Sequence, residues 1–145
     1  MNEQSPLPEG VIVHLPGAGR HYDLGPMNST FLADGAESDR RYSVSIWRVA
    51  PGSPGPGAHS HEANEELFLV IEGTMTFLVG DRYVDAPTGT FLRIPAGVTH
   101  DFENRTPERA SVFNVFIPGG FEDNMPAIVT WFKEQARAAT PDRPA

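Results

Sequence analysis

Short β-prone runs separated by glycine and proline constrain the fold of this chain more than any other feature. Glycine and proline occur 14 times each in 145 residues, and most of them stand between runs rich in valine, isoleucine, threonine and aromatic residues. This punctuation is typical of an all-β domain built from hairpins. The sequence predicts about eight strands, at residues 11–15, 41–50, 66–71, 74–79, 82–86, 90–94, 99–104 and 110–117.

The arrangement of these strands follows from their two faces. Several runs, such as 67–71, are apolar on both faces. An open sheet with one face in water does not need that pattern, whereas a closed or two-layered one does. The sequence therefore predicts a small β-barrel or jelly roll.

Near the C-terminus the spacing of apolar residues changes from every second residue to every third or fourth. Ile128, Trp131 and Phe132 lie three and four residues apart behind Pro126, which predicts one amphipathic helix over 126–139 on the outside of the barrel. Residues 1–10 and 140–145 are expected to be loose tails around a single domain, 11–139. The stretch 17–39, rich in glycine, asparagine and serine, stays without an assignment.

Charge and composition exclude several classes of function. The net charge of −8, the pI near 5.0 and the single lysine, Lys133, leave no basic surface for nucleic acid. Without cysteine, a metal must be held by nitrogen and oxygen, and thiol chemistry is excluded. The polar, acidic start and the lack of a long apolar stretch predict a chain that is neither exported nor in a membrane, as expected of a cytoplasmic protein.

One cluster of residues points to chemistry. His59 and His61 are two residues apart, so in an extended segment both imidazoles project to one face. Glu66 lies an odd number of residues beyond His61, and the polar segment 62–64 must bend to bring its carboxylate round. Phe68 and Val70 share the face of Glu66, which predicts an apolar wall beside the site.

At these residues the sequence resembles the cupins. The first motif of that family is His-x-His, three or four residues, Glu, six residues, Gly, and it is matched by His59, His61, Glu66 and Gly73. The second motif, Gly, five residues, Pro-x-Gly, two residues, His, three residues, Asn, is matched by Gly89, Pro95, Gly97, His100 and Asn104. The resemblance covers roughly residues 41–122 in a small cupin β-barrel (jelly roll). Ser53 stands where the family usually has a glycine, and we expect Gly55 and Gly57 to supply that bend.

The resemblance implies that His59, His61, Glu66 and His100 are the ligands of one divalent metal ion. Three imidazoles and one carboxylate suit Fe, Ni, Mn, Co, Cu or Zn, and an octahedral ion would keep two positions for water, substrate or oxygen. A structural zinc site fits less well, since such sites tend to be closed and rich in cysteine.

Other polar and aromatic residues have competing interpretations. Phe102 and Asn114, with Phe68, are candidates for a substrate pocket, although phenylalanine in strands is normally core. We expect Asn104 to make a turn hydrogen bond and Glu65 to be a solvated neighbour of Glu66. His14 and His21 lie outside both motifs and are expected on the surface or in loops.

The hairpin spacing and the ending Pro118 to Glu122 look like the small bacterial cupins related to quercetin dioxygenases. That likeness implies a metal-dependent dioxygenase for a small enolisable or aromatic substrate, such as a flavonol or diketone, with Glu66 as the catalytic proton acceptor. Two alternatives remain: a non-redox lyase, isomerase or cyclase, and a binding protein without turnover. The two-sided apolar strands also predict a homodimer.

Overall fold

The structure is a computed structural model that describes residues 5–139. Its regular elements are nine strands and one α-helix: β1 Arg20–Asp23, β2 Met27–Ala33, β3 Ser43–Val49, β4 Glu65–Glu72, β5 Thr74–Val79, β6 Arg82–Pro87, β7 Phe91–Ile94, β8 His100–Glu103, β9 Ala110–Ile117 and α1 Met125–Ala139. Short 3-10 turns cover Gly35–Glu37 and Phe121–Asn124.

The strands form two antiparallel sheets that face each other as a jelly roll. The larger has the order β1-β2-β3-β9-β4-β7 and the smaller the order β6-β5-β8. Along β3, β4 and β9 every second residue is buried, so the core lies between the sheets. Within residues 5–139 the two sheets are not joined into one continuous ring of paired strands, so the predicted barrel is two-layered.

Seven of the eight predicted strands are confirmed to within a few residues, from β3 to β9. The prediction of a strand at 11–15 is wrong, because these residues form no ladder with another strand. Two strands that the sequence did not indicate, β1 and β2, form a hairpin in the stretch 17–39, and β2 pairs with β3. A β-prone run predicts an extended backbone, but only a partner with free backbone groups makes it a strand.

The predicted helix is confirmed and begins one residue early, at Met125. The side chain of Met125 is buried, and Ile128, Val129 and Phe132 pack against the core, so the helix lies on the sandwich beside β1. The predicted tail 140–145 lies outside the described residues, as do residues 1–4 of the predicted tail 1–10. No helix in the described part of the chain has the length and apolarity to cross a membrane.

The larger sheet has an apolar outer face that the fold leaves uncovered. On β4, Phe68 and Val70 point inward and are buried, but Leu69 and Ile71 on the other face are 39% and 43% exposed. Phe91 on the neighbouring β7 is 61% exposed. Packing of the two sheets therefore accounts for the apolar residues on the inner face of these strands but not for those on the outer face.

Candidate metal centre

The candidate site lies where the two sheets meet at one end of the sandwich. Glu66 is the second residue of β4 in the larger sheet, and His100 begins β8 in the smaller one. His59 pairs with His100 through an isolated antiparallel bridge, with N···O distances of 3.0 and 2.8 Å. The loop that carries His59 is thus fastened to β8 by main-chain hydrogen bonds, which are insensitive to side-chain motion.

Two further contacts fix the path of this loop. The amide of Gly97 donates to the carbonyl of His61 at 2.8 Å, and the bend at 62–63 turns the chain from His61 into β4, as the sequence predicted. Gly55 lies so close to β8 that a Cβ there would stand 1.7 Å from the carbonyl oxygen of Phe102. Only glycine permits this approach.

The structure brings His59, His61, Glu66 and His100 together. One ligand atom from each lies within 4.8 Å of all the others. Oε2 of Glu66 is 3.5 Å from Nε2 of His61 and is in direct contact with Nε2 of His100. Glu66 and His100 are only 3% and 2% exposed, while His59 and His61 are half-buried.

The hydrogen bonds on the far side of two imidazoles orient them toward this centre. Nδ1 of His59 lies 2.6 Å from the carbonyl oxygen of Gly57, and Nδ1 of His100 lies 2.9 Å from that of Val98. A carbonyl only accepts, so Nδ1 carries the proton and Nε2 presents its lone pair. This is the outer contact that metal-binding histidines usually make.

Three of the converging atoms are buried and, apart from their contacts with one another, have no hydrogen-bond partner: Nε2 of His61, Oε2 of Glu66 and Nε2 of His100. A buried polar atom without a partner costs about 1–3 kcal/mol, and three at one point call for a common partner. A divalent cation satisfies two imidazole lone pairs and a carboxylate oxygen at once. The cluster is therefore able to hold a metal ion.

Burial and the carboxylate act differently on two of the rings. Burial lowers the pKa of His61, and the attraction of Glu66 does not compensate. Burial also disfavours the charged form of His100, but the contact with Glu66 outweighs it and raises the pKa of His100. Burial thus favours the neutral form of His61, which is the form that binds a metal ion.

Asn114 connects the carboxylate to a buried polar network. Its amide Nδ2 donates to the carbonyl of Leu67 at 3.1 Å and, at 3.5 Å, to Oε1 of Glu66. Its Oδ1 lies 3.4 Å from the hydroxyl of Ser45, which accepts from the indole of Trp47 at 2.9 Å. The amide thus faces Oε1, while Oε2 of the same carboxylate faces the histidines.

The space beside the cluster is small and mostly aromatic. A cavity of about 30 Å³ is lined by Trp47, Pro56, His59, Glu66, Phe102, Asn114, Phe116 and Phe121, which leaves room for water-sized groups. Of the three residues proposed from the sequence as a substrate pocket, Phe102 and Asn114 line this cavity. Phe68 is buried behind it, with its ring 6.3 Å from that of His100.

The two rings that cover the site are not among the three pocket residues proposed from the sequence. Phe116 and Phe121 stack with centroids 4.1 Å apart, and Phe121 also meets His61 edge to face at 5.4 Å. The alternation along β9 could have predicted the direction of Phe116, because it places this ring on the same inner face as Asn114. Phe121 lies in a 3-10 turn, where no periodic pattern indicates its direction.

The other polar candidates lie outside the cluster. Asn104 is buried in a turn, where its amide donates to the carbonyls of Val49 and Glu108. Glu65 points to the outer face of the sheet and pairs with Arg93. His14 and His21 make hydrogen bonds near β2. Each of these positions agrees with the structural interpretation made from the sequence.

Comparison with known proteins gives the same family that the motifs indicated. A family model described as a cupin domain matches residues 45–116, a range that contains all four clustered side chains. Quercetin 2,3-dioxygenase of Bacillus subtilis (strain 168) is 25% identical over 122 residues, which is 83% of this chain and 36% of the relative. The chain thus spans about a third of the length of this curated relative.

Solved structures show likeness of fold. An RmlC-like cupin from Shewanella frigidimarina superposes with a TM-score of 0.64 at 16% identity, over 76% of this chain and 93% of that one. A structure described as a predicted oxalate decarboxylase from Thermotoga maritima gives a TM-score of 0.60 at 22% identity, over 65% and 82%. At such identities the architecture is common to these chains, whereas the reaction is not fixed by it.

Proposed function

This chain belongs to the cupin superfamily, and on that premise we propose that it is a metal-dependent dioxygenase for a small enolisable or aromatic substrate. The observation that carries the proposal is the buried convergence of two imidazole nitrogens and one carboxylate oxygen that have no hydrogen-bond partner outside the cluster, with His59 completing the set. The distant likeness to a quercetin dioxygenase supports a flavonol-like or diketone-like substrate.

The donor set defines which ions fit. Three imidazoles and one carboxylate suit Fe(II), Mn(II), Co(II), Ni(II), Cu(II) or Zn(II). When bound, such an ion supplies a Lewis acid for a substrate oxygen and, if redox-active, the electron chemistry that reaction with O₂ needs.

The residues of the chain divide the remaining work. Glu66 is the group that can accept the proton of a substrate hydroxyl, because its carboxylate is the only acid of the cluster and lies at the cavity. Asn114 holds the orientation of that carboxylate through Oε1. The rings of Phe102, Phe116 and Phe121 limit water around the site, which strengthens the electrostatic effect of every charge inside.

The test combines metal analysis with oxygen consumption. The purified protein is expected to contain one equivalent of a divalent transition metal and to consume O₂ with one member of a panel of flavonols, catechols and diketones. Turnover of a substrate without O₂ would replace the dioxygenase by a lyase, isomerase or cyclase at the same centre. Ligand binding without turnover in either atmosphere would indicate a binding protein.

A pair of histidine variants tests the ligand assignment. His100→Ala is expected to lose activity and most of its metal. Loss of even a residue that only orients a metal ligand lowers metal affinity by about 10-fold or more, and His100 is one of the proposed ligands themselves. His21→Ala removes a histidine that makes two hydrogen bonds outside the cluster and is expected to keep both. Retention of metal and activity by His100→Ala would show that the assignment is wrong.

A further inference from the structure

Asp101 follows the proposed ligand His100 on β8, but its side chain lies on the other face of the strand. His100 and Phe102 are buried, whereas Asp101 between them is only partly buried, as alternation along a strand requires. Its Oδ1 accepts two main-chain hydrogen bonds, from the amide of Gly57 at 3.0 Å and from that of Phe102 at 2.8 Å. One carboxylate oxygen thus joins β8 to the loop that carries His59.

Gly57 links this carboxylate to an imidazole of the cluster. Its amide donates to Asp101, and its carbonyl oxygen lies 2.6 Å from Nδ1 of His59. The backbone of Gly57 has a φ of +93°, which glycine adopts without the steric cost that a side chain would bring. Because glycine has more backbone freedom than any other residue, the direction of its carbonyl depends on the hydrogen bonds that hold it.

The side chain of His59 depends on this contact more than those of the other clustered residues do. Glu66 and His100 lie in strands, and the ring of His61 packs against two phenylalanine rings. His59 lies in the irregular segment between β3 and β4, where its main chain is held by the bridge to His100. That bridge fixes the main chain but leaves the side-chain torsions free, so the orientation of the ring depends on the contact of Nδ1 with Gly57.

We infer that Asp101 is a positioning residue of the metal centre: it holds Gly57 and, through the carbonyl of that glycine, turns Nε2 of His59 toward the cluster. The inference rests on the proposed function, because the orientation of this ring matters only if the ring binds a metal ion. Hydrogen-bond partners behind a metal-binding histidine raise metal affinity by about 10- to 100-fold. Here that partner is a carbonyl, and Asp101 is the side chain that holds the carbonyl in place.

The first experiment compares two substitutions of Asp101 by calorimetric titration of the metal-free protein with Co(II). Asp101→Ala removes the acceptor, and the dissociation constant should rise at least about 10-fold. Asp101→Asn removes the charge but keeps an oxygen acceptor, so its dissociation constant should stay within about threefold of that of the unaltered protein. An asparagine variant that binds as weakly as the alanine variant would overturn the inference, since the charge and not the acceptor would then be responsible.

Asp23→Ala is the matched control. Oδ1 of Asp23 accepts from the amide of Gly25 at 2.9 Å, and Gly25, like Gly57, has a positive φ, of +83°. This contact lies in the turn after β1 and involves none of the four clustered side chains, so Asp23→Ala should leave the dissociation constant for Co(II) unchanged. If it weakens binding as much as Asp101→Ala does, the loss is not specific to the loop of His59 and the inference is wrong.

A double-mutant cycle tests whether Asp101 acts through His59. His59→Ala removes the ring that Asp101 is proposed to orient. In that background, Asp101→Ala should therefore change the dissociation constant by less than about twofold. Effects of the two substitutions that add in full would show that Asp101 supports the site by another route, contrary to the inference.

The visible absorption of bound Co(II) gives an independent readout. Loss of an imidazole ligand changes the coordination of the ion and hence its spectrum. The spectrum of Asp101→Ala should shift from that of the unaltered protein toward that of His59→Ala, whereas Asp101→Asn should keep the original bands. A spectrum of Asp101→Ala identical to that of the unaltered protein would contradict the role given to Asp101.

Failure of this inference can be told from failure of the proposed function. An unaltered protein that binds no Co(II) would remove the metal centre, and both would fall. An unaltered protein that binds Co(II), together with an Asp101→Ala variant of equal affinity, would overturn the inference alone. Circular dichroism verifies the fold of each variant, and Asp101→Val, which also lacks an acceptor and suits a strand, replaces the alanine variant if that one does not fold.

Discussion

Replacement of Asn114 by alanine tests whether a buried amide holds the carboxylate of the site in position. The side chain is fully buried and donates to the carbonyl of Leu67 and to Oε1 of Glu66. Its removal leaves these acceptors buried without a partner, at about 1–3 kcal/mol for each group. Because the contact with Glu66 is long, at 3.5 Å, we expect a total loss near the low end, about 2–3 kcal/mol of unfolding free energy.

The effect on metal affinity is separate from the effect on stability. A carboxylate that is no longer oriented by its outer contact loses about 10- to 100-fold in affinity for the metal, which equals about 1.4–2.8 kcal/mol. Calorimetric titration of the metal-free variant with Ni(II) or Zn(II) measures this loss. Urea unfolding of the metal-free protein, followed by the fluorescence of its two tryptophans, measures the stability.

Asn104 provides the matched control. It is as buried as Asn114, and its amide donates to the carbonyls of Val49 and Glu108 at 3.0 and 2.6 Å. Since these bonds are shorter, Asn104→Ala should lose at least as much stability yet keep its metal affinity. The reasoning is refuted if Asn114→Ala binds metal within about twofold of the unaltered protein, a difference of about 0.4 kcal/mol.

Two further predictions concern contacts around the site. Burial alone would raise the pKa of Glu122, but the hydroxyl of Ser43 and the amide of Gly35 donate to its carboxylate and hold the pKa below 4.5. A lowered folded-state pKa gives stability that is present above pH 4.5 and lost as the pH falls through the folded value. The unaltered protein should therefore have a free energy of unfolding about 1–2 kcal/mol higher than that of Glu122→Gln at pH 7. This difference should shrink below pH 4.5 in urea titrations. Gly55→Ala would place a Cβ against the carbonyl oxygen of Phe102; we expect about 2 kcal/mol of destabilisation or more, with weaker metal binding by calorimetry.

Each of these two predictions has an internal check. A stability difference for Glu122→Gln that stays constant from pH 7 to pH 3 would mean that the carboxylate is not the group that titrates. For Gly55, the comparison is Gly80→Ala, at a hairpin position with φ of +64° and open space around the added Cβ. It should cost about 1–2 kcal/mol through backbone strain and leave metal binding unchanged. Equal metal affinities in the two glycine variants would contradict the role given to the loop contact.

The local pattern of the sequence determined most of the fold and the identity of the clustered residues. Alternating apolar residues predicted strands β3 to β9, and the change of period predicted α1, because both patterns record which side of an element faces the core. The spacing of His59, His61 and Glu66 predicted a bend between the second and third of these residues, which the structure has. His100, distant along the chain, joined this group only through the resemblance of its motif.

The tertiary structure decided the features that depend on a partner in space. Residues 11–15 have the composition of a strand and remain unpaired, whereas β1 and β2 pair despite a sequence poor in β formers. The cover of Phe121 over His61 and the contact of Asn114 with Glu66 likewise link positions far apart in the chain. A sequence pattern states which way a side chain points, but hydrogen bonds and packing require a second group whose position only the folded chain fixes.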